Sequence, residues 1–296
     1  MNQILKSIIT KQRKDFEVIA SAKTVPEDAL EGATVFHNLQ YIKDSDPAHR
    51  LDFYCPRNAP TPTPVIVNIH GGGLIMGNKE FNRHFCLNLC KMGYLVFSVE
   101  YRLCPEATVF QQLEDIFAAM NYIHDMLPQL NAVLGQCYLV GDSAGAMLSL
   151  YAAAIQRNPK LAQAAGVQPS YMEIRALGLI SGMFYTVRKD SIGLLLPKAF
   201  YGEDYKEHPF YPYLNPEHKD VTGYLPPTLL ITSRHDNLRS YTYNLARAMK
   251  QNEAPCYLKD FGNSPALTHA FSVFKPELPE SQKSLELICS HFCKYK

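Results

Sequence analysis

The chain has 296 residues, and its 29 Lys and Arg residues almost balance its 28 Asp and Glu residues, giving a formal net charge of +1 at pH 7. A chain so close to neutral has no electrostatic basis for binding nucleic acid or an anionic membrane. No stretch approaches the roughly 18 consecutive apolar residues that a membrane span needs. We therefore expect a globular protein without a nucleic-acid partner and without stable membrane association.

The N-terminal segment MNQILKSIITKQRKDF predicts a helix whose apolar stripe packs against the protein itself, with contact to a membrane surface as the alternative. It has neither the apolar core nor the small-residue cleavage site of a signal peptide. The cysteines mostly stand among apolar residues, and the pairs Cys86/Cys90 and Cys289/Cys293 lack partners at zinc-like spacing. We expect reduced thiols, a cytoplasmic location and no metal.

Strand-like and helix-like segments alternate along the rest of the chain, which is typical of an α/β fold with a mostly parallel sheet. Two extended stretches come first, separated by the turn-rich segment KDSDPA. The predicted elements are, in order, extended stretches at about 34–42 and 49–55, a strand at 65–69, a helix at 80–92, a strand at 94–99, a helix at 109–127, a strand at 137–140, a helix at 144–156, strands at 176–180 and 228–232, a helix at 240–251, a strand at 255–261 and a last helix from 279.

The interval between Ser181 and Pro227 interrupts this alternation. It is rich in tyrosine and has few strand signals, as in AFYGEDYKEHPFYPYLNP. A structureless loop of that length is uncommon in a compact domain. The interval therefore predicts short helices that lie over the sheet as a lid.

A glycine triplet, Gly71 to Gly73, follows the predicted strand at 65–69 in the segment HGGGLIMG. A strand that ends in a glycine-rich turn presents backbone N–H groups to an anion. One candidate anion is a dinucleotide phosphate, with Gly71, Gly73 and Gly77 forming a Rossmann-like pattern. The other is the oxyanion of an ester under nucleophilic attack.

The pentapeptide from Gly141 to Gly145, GDSAG, has the pattern G-x-S-x-G. A buried strand precedes it and an Ala/Leu-rich helix follows at once, so the small residues allow a sharp strand-to-helix turn. That turn holds the serine in a strained, exposed position, beside the free N–H groups of a helix N-terminus. Ser143 is therefore predicted to be a nucleophile.

A serine hydroxyl needs a general base and an acid that orients the base. In a strand-turn-helix site of this kind, the acid and then the histidine follow the serine along the chain. His269 lies in a loop after a strand end, and Asp236 lies in the loop after the penultimate strand, whereas Asp260 falls inside the last strand. The other downstream histidines fall in the predicted lid, next to the acid or on the last helix, and are His208, His218, His235 and His291.

These residues together decide between the two anions for the glycine turn. A dinucleotide site would leave GDSAG, Asp236 and His269 as coincidences, and would place the glycines on a third strand rather than the first. An ester hydrolase uses every one of these features. The turn is therefore predicted to form an oxyanion hole with the N–H of Ala144.

The motifs HGGG (70–73), VEYRLCPE (99–106), GDSAG (141–145), HDNLR (235–239) and HAF (269–271) resemble the hormone-sensitive-lipase-like family of α/β-hydrolase esterases. The resemblance implies a single α/β-hydrolase domain with a mostly parallel sheet of about eight strands flanked by helices. It implies a lid built from about 1–45 and 183–226, over a catalytic core of about 46–182 and 227–296. By the same resemblance, Gly72, Gly73 and Ala144 supply the oxyanion N–H groups, and the triad is Ser143, Asp236 and His269.

The resemblance further implies a carboxylesterase or acetylesterase that cleaves short-chain acyl esters through an acyl-enzyme, with no cofactor. Leu74 stands where the family often has an aromatic residue, and it is predicted to line the substrate site with Tyr185, Tyr201 and Tyr211, although the tyrosines could equally only pack the lid. A small-amide hydrolase and a non-catalytic binder remain alternatives. The plant gibberellin receptor is such a binder and has lost the triad histidine, which this chain has as His269. A homodimer is left open.

Overall fold

A mixed sheet forms the centre of the computed structural model, which describes residues 3–21 and 30–296. Its strands are β1 (Ala33–Gln40), β2 (Arg50–Pro56), β3 (Val65–Ile69), β4 (Leu95–Val99), β5 (Gln136–Asp142), β6 (Glu173–Ile180), β7 (Thr228–Ser233) and β8 (Cys256–Phe261). The eight strands lie in the order β1-β2-β4-β3-β5-β6-β7-β8, and β2 alone runs against the others. The predicted fold class, with about eight mostly parallel strands, is confirmed.

The central strands read as apolar runs because both faces of the sheet are covered by helices. β3 (VIVNI) and β4 (LVFSV) are buried along their whole length, as expected for parallel strands between two helical layers. Successive side chains alternate between the two faces, so Val65 and Val67 join the core on one side and Ile66 the core on the other. The sheet therefore separates two hydrophobic cores.

The helices follow the strands in the alternation that the sequence predicts. They are α1 (Gln3–Ser21), α2 (Arg83–Lys91), α3 (Val109–Met126), α4 (Ala144–Arg157), α5 (Pro159–Ala165), α6 (Ser191–Leu195), α7 (Pro197–Tyr201), α8 (Lys219–Thr222), α9 (Arg239–Gln251), α10 (Phe271–Phe274) and α11 (Pro279–Phe292). Short 3-10 turns cover Lys79–Asn82, Leu127–Gln129, Tyr211–Tyr213 and Cys293–Tyr295. A capping box starts α3, where Thr108 accepts from the Gln111 N–H and the Gln111 side chain accepts from the Thr108 N–H.

The N-terminal helix packs on the protein, as far as its described side chains extend. Ile9 is buried in the core, and the Phe16 ring stacks on Phe81 at a centroid distance of 3.8 Å. The other side chains of the predicted stripe, those of residues 4, 5 and 8, lie outside the described part of the chain. Strand β1 falls within the first predicted lid range, about 1–45, but it is a strand of the main sheet. The division into lid and core otherwise stays a prediction.

The segment between β6 and β7 contains short helices, α6, α7 and α8, where the sequence predicted them. A ring contact and a hydrogen bond attach this segment to α3 and α4. The Phe110 ring on α3 stacks on His208 at 4.2 Å, and the buried Tyr151 hydroxyl on α4 donates to the Tyr213 carbonyl at 2.8 Å. The segment is thus held on the α3 and α4 side of the sheet.

Replacing Tyr151 with Phe should weaken this attachment without changing the core volume. The Tyr213 carbonyl would lose its buried donor, and leaving a buried polar group unpaired costs roughly 1–3 kcal/mol. We expect a loss of that size in the free energy of unfolding, measured by urea denaturation. Tyr171→Phe is the control, because Tyr171 is 79% exposed. An equal loss in both variants would contradict the role of the buried bond.

Candidate active site

Ser143 occupies the sharp turn between β5 and α4. Its backbone has φ 51° and ψ −115°, a strained combination for a residue with a Cβ atom. The helix behind it comes very close to β3, since a Cβ atom on Gly145 would lie 2.0 Å from the Ile69 carbonyl oxygen. The Ser143 N–H donates to the Ile180 carbonyl at 2.9 Å. The strained turn that the GDSAG motif predicts is therefore present.

His269 bridges Ser143 and Asp236. Its Nε2 lies 3.0 Å from Ser143 Oγ, and its Nδ1 lies 2.7 Å from Asp236 Oδ1. An ionised carboxylate can only accept, so Nδ1 carries the proton and Nε2 is left to accept from the serine hydroxyl. The Asp236 side chain is completely buried, whereas that of His269 is 28% exposed. The three residues that the sequence predicted as a triad are therefore hydrogen-bonded in the required order.

Two further donors hold the Asp236 carboxylate. The Thr232 hydroxyl donates to Oδ2 at 2.8 Å, and the Leu238 N–H donates to Oδ1 at 2.9 Å. Burial raises the pKa of Asp236, but the hydrogen bonds from His269, Leu238 and Thr232 outweigh burial and bring the pKa below its usual value. Asp236 is therefore ionised at neutral pH. The role of Thr232 had no signal in the sequence, where it is one more β-branched residue of β7.

The loop that carries His269 is fixed by serines at the ends of two strands. The Ala270 N–H donates to Ser181 Oγ at 3.0 Å, directly after β6, and Ala270 itself has φ 49°. The Ser233 hydroxyl, at the end of β7, donates to the Leu267 carbonyl at 2.5 Å. Sequence reasoning missed both serines. The available signal was their position, since polar residues at the carboxyl ends of parallel strands commonly serve a site.

The histidines and the acid that were set aside make other contacts. Asp260 accepts from Arg239 at 2.5 Å and from the Tyr243 hydroxyl at 2.6 Å, both of which lie on α9. His208 stacks on the Phe110 ring, and His218 lies at the start of α8. His235 lies beside Asn263, and His291 lies against the Pro227 carbonyl. Among the downstream histidines, His269 is the one hydrogen-bonded to Ser143.

The glycine turn folds back on itself next to Ser143. Gly72 has φ 125°, and a Cβ atom there would lie 1.9 Å from the Met76 carbonyl oxygen, so only glycine fits. The N–H groups of Ile75 and Met76 donate to the Gly72 carbonyl at 3.2 and 3.0 Å. Within the described chain, the N–H groups of Gly72, Gly73 and Ala144 donate no backbone hydrogen bond. These are the three N–H groups that the sequence predicts for the oxyanion hole.

A buried carboxylate connects the glycine turn to the nucleophile turn. Asp142, which precedes Ser143, accepts from the Gly71 N–H at 3.1 Å and from the Asn82 amide at 2.8 Å. Burial raises the pKa of Asp142, and the hydrogen bonds from Asn82 and Gly71 oppose this rise only in part. The contact brings the carboxyl ends of β3 and β5 together. The two glycine motifs of the sequence therefore form one site.

A histidine on the other side of the glycine turn holds the first carbonyl of the turn. The His70 ring is fully buried, and its Nδ1 donates to the Gly71 carbonyl at 2.7 Å. Burial lowers the pKa of His70, but Glu100, with an oxygen 3.5 Å from Nε2, the Gly71 carbonyl and Asp142 together outweigh burial and raise it. The Gly71 carbonyl and the Gly72 N–H belong to one peptide group. His70 therefore restrains the plane of a predicted oxyanion donor.

The four residues predicted to contact substrate lie in different surroundings. Leu74 is fully buried, Tyr185 and Tyr201 are each 6% exposed, and Tyr211 is 40% exposed. The Tyr185 hydroxyl donates to Glu217 at 2.8 Å, and that of Tyr201 lies 2.7 Å from the Thr186 hydroxyl. Both buried tyrosines are therefore tied to the segment between β6 and β7, and their contact with substrate stays a prediction.

No described part of the chain presents three or more His, Cys, Asp or Glu side chains close enough to hold a metal ion. All eight cysteines are free. None of the helices in residues 3–21 and 30–296 combines the length and the apolar character that crossing a membrane requires.

Comparisons with known proteins identify the family of the fold. A family model for the alpha/beta hydrolase fold matches residues 66–272. Esterase B from Lactobacillus rhamnosis, solved with a C4-C4 tributyrin phosphonate inhibitor, is 25% identical and has a TM-score of 0.87, over 99% of this chain and 96% of that chain. Two further esterases are similar to the chain at lower sequence identity, and these two similarities support the fold alone.

One is a bacterial heroin esterase, 23% identical with a TM-score of 0.73 over 97% of this chain and 92% of that chain. The other is a hyperthermophilic esterase from the archaeon Pyrobaculum calidifontis, 22% identical with a TM-score of 0.72 over 98% and 94%. The predicted family and enzyme class are confirmed. The family model covers more than half of this chain, so the chain belongs to the α/β-hydrolase-fold family, of which it is an esterase-type member.

Proposed function

We propose that this chain hydrolyses short-chain acyl carboxylic esters, with Ser143, His269 and Asp236 as its catalytic triad. The observation that carries the proposal is the continuous hydrogen-bonded series from Ser143 Oγ to His269 at 3.0 Å and from His269 to Asp236 at 2.7 Å. In this series each group has the partner that its role requires. The glycine turn joined to the same site supplies the remaining element of acyl transfer.

In the acylation step, Ser143 Oγ attacks the ester carbonyl carbon while His269 Nε2 takes the hydroxyl proton. The imidazolium that forms is stabilised by Asp236, whose lowered pKa keeps the carboxylate charged. His269 then gives the proton to the departing alcohol. Water then attacks the acyl-enzyme while His269 takes its proton, and His269 returns that proton to Ser143 as the carboxylic acid leaves. Acylation and deacylation thus use the chain's own residues and water.

The negative charge on the carbonyl oxygen is assigned to the N–H groups of Gly72, Gly73 and Ala144. Ala144 begins α4, so the positive end of the helix dipole faces the same point. Removal of one such donor typically costs about 2.7–4 kcal/mol of transition-state stabilisation. The N–H groups are held by the folded backbone, which means that the site need not reorganise when the charge develops.

The acyl group is proposed to be short, in the acetyl to butyryl range. The phosphonate bound by esterase B, a protein with 25% identity to this chain, derives from tributyrin, an ester of four-carbon acyl groups. Leu74, Tyr185, Tyr201 and Tyr211 are proposed as contacts of the substrate. A cytoplasmic location is also proposed, and the eight free thiols support it because reduced cysteines persist there.

The test is hydrolysis of p-nitrophenyl esters from acetate to decanoate by the wild-type protein. We expect kcat/KM to be highest between acetate and butyrate and to be lower for decanoate by about tenfold or more, because a short acyl pocket excludes the longer chain. A maximum at octanoate or decanoate would overturn the short-chain assignment. The esterase proposal itself would fail if none of the esters were hydrolysed.

A further inference from the structure

The outer half of the glycine turn contains a strained residue. Leu74 has φ 69°, a left-handed conformation that glycine adopts freely and leucine does not. Such a conformation persists only where the surroundings enforce it. The groups that hold Leu74 therefore determine the shape of the turn that carries Gly72 and Gly73.

The Leu74 carbonyl is held by Gln112, a residue of α3 with no exposed surface. Gln112 Nε2 donates to the Leu74 carbonyl at 3.0 Å and to the Arg102 carbonyl at 2.9 Å. Both partners are carbonyl oxygens, which can only accept, so the amide nitrogen and not the amide oxygen must face them. The Cys104 N–H donates to the same Leu74 carbonyl at 2.8 Å.

The other atom of this amide argues against a purely stabilising role. Gln112 Oε1 is buried and has no hydrogen-bond partner among the described residues. A buried acceptor without a partner lowers stability, and an apolar side chain of the same length would avoid that penalty. The two bonds donated by Nε2 are therefore the contribution that this glutamine makes to the molecule.

A second side chain holds the next carbonyl of the turn. Arg13, on α1, donates from Nε to the Ile75 carbonyl at 2.6 Å and from Nη2 to the Cys104 carbonyl at 2.7 Å. Its guanidinium also pairs with Glu106 at 2.7 Å. The Met76 N–H, which belongs to the same peptide group as the Ile75 carbonyl, donates to the Gly72 carbonyl. Hydrogen bonds and shared peptide groups thus lead from α1 to the peptide group that carries the Gly73 N–H.

We propose that Gln112, assisted by Arg13, is a positioning residue that fixes the N–H groups of Gly72 and Gly73 for the oxyanion. The inference rests on the proposed esterase function. The Gln112 amide and the Arg13 Nε donate to backbone carbonyls and not to Ser143, and they act through the carbonyls of Leu74 and Ile75. Since the oxyanion forms only once the serine attacks, in the tetrahedral intermediate and the transition states that flank it, loss of this positioning lowers kcat rather than substrate binding.

Gln112→Met tests the inference, because Met matches the length of Gln and lacks both donors. With p-nitrophenyl butyrate we expect kcat to fall by about tenfold, less than the 100-fold or more that follows loss of a donor itself, while KM stays within about twofold. Butaneboronic acid, which forms a tetrahedral adduct with a catalytic serine, should bind about tenfold more weakly. Inhibition by butyramide, which resembles the ground state, should be unchanged.

Gln156→Met is the matched control. Gln156 lies near the end of α4 farthest from Ser143 in sequence, and it exchanges two hydrogen bonds with the Ser170 backbone, at 2.7 and 3.0 Å. This variant loses the same kind of side-chain bonds and should keep both kinetic constants. Where Gln112→Met does not fold, Arg13→Lys serves instead, since lysine keeps the positive charge but lacks the paired Nε and Nη2 donors of the guanidinium. It should also lower kcat and leave KM unchanged.

Three outcomes would overturn the inference. The first is a folded Gln112→Met protein, or Arg13→Lys in its place, with wild-type kcat. The second is an equal fall in kcat for Gln156→Met, which would indicate general destabilisation. The third is a wild-type protein that hydrolyses no ester, which removes the proposed function and this inference with it. Wild-type activity therefore separates a failure of the proposed function from a failure of the inference alone.

Discussion

Ser143→Ala should lower kcat for p-nitrophenyl acetate by about 10⁶-fold, since removal of the nucleophile in a comparable triad has that effect. The variant loses the atom that forms the bond to the acyl carbon, and no other described side chain stands in its place beside His269 Nε2. The oxyanion N–H groups remain, so a small rate above the uncatalysed reaction should persist. The measurement is kcat for both proteins at saturating ester.

The fold should tolerate this change. Alanine keeps the Cβ atom, so the strain at φ 51° is the same, and the backbone bonds of Ser143 to Ile180 and Met183 do not involve the hydroxyl. A fluorophosphonate should add one adduct to the wild type and none to the variant, as measured by intact mass. Ser284→Ala, in α11, is the control, because Ser284 is also buried but bonds only to Glu280. Wild-type turnover by Ser143→Ala would mean that another residue is the nucleophile.

The parts of the fold that the sequence predicted are those with strong local signals. The buried strands read as short apolar runs with Gly or Pro nearby, and each was placed to within a few residues. The extended stretch predicted at about 34–42 corresponds to the edge strand β1 (Ala33–Gln40), although three successive residues in the middle of β1 are exposed and its alternation is weak. A strand with that pattern depends on pairing with β2, which the sequence of the strand does not record. The lid range of about 1–45 that includes this strand came from the family resemblance and not from the pattern of the strand.

The same division applies to the site. Ser143, Asp236 and His269 could be predicted because each follows a strand end and because the order along the chain is restricted. Thr232 and Gln112 could not be predicted in the same way. Gln112 meets Leu74 across 38 positions of sequence, and its helix reads as an ordinary amphipathic element. Contacts that hold catalytic groups in place depend on packing, and short motifs carry no record of them.

Asp236→Ala should lower kcat by about 10⁴-fold, less than loss of the nucleophile, as in a comparable triad where the acid alone was removed. His269 Nδ1 would lose its acceptor at 2.7 Å, so the ring would no longer be held in the tautomer that leaves Nε2 free. The imidazolium formed during attack would also lose its counter-charge. The measurement is kcat with p-nitrophenyl acetate, and Asp260→Asn, which changes a carboxylate bonded to α9 and not to His269, should leave kcat within about twofold.

Asp236→Asn separates the two contributions, because the site determines which way its amide points. The Leu238 N–H donates to the Oδ1 position, which favours the amide oxygen there, facing His269. The amide nitrogen then faces the Thr232 hydroxyl, which can accept from it. The His269 tautomer is thereby kept and only the charge is lost, so kcat should fall by about 10²-fold. If Asn at this position were as inactive as Ala, its nitrogen would face His269, and the Leu238 N–H would not control the orientation.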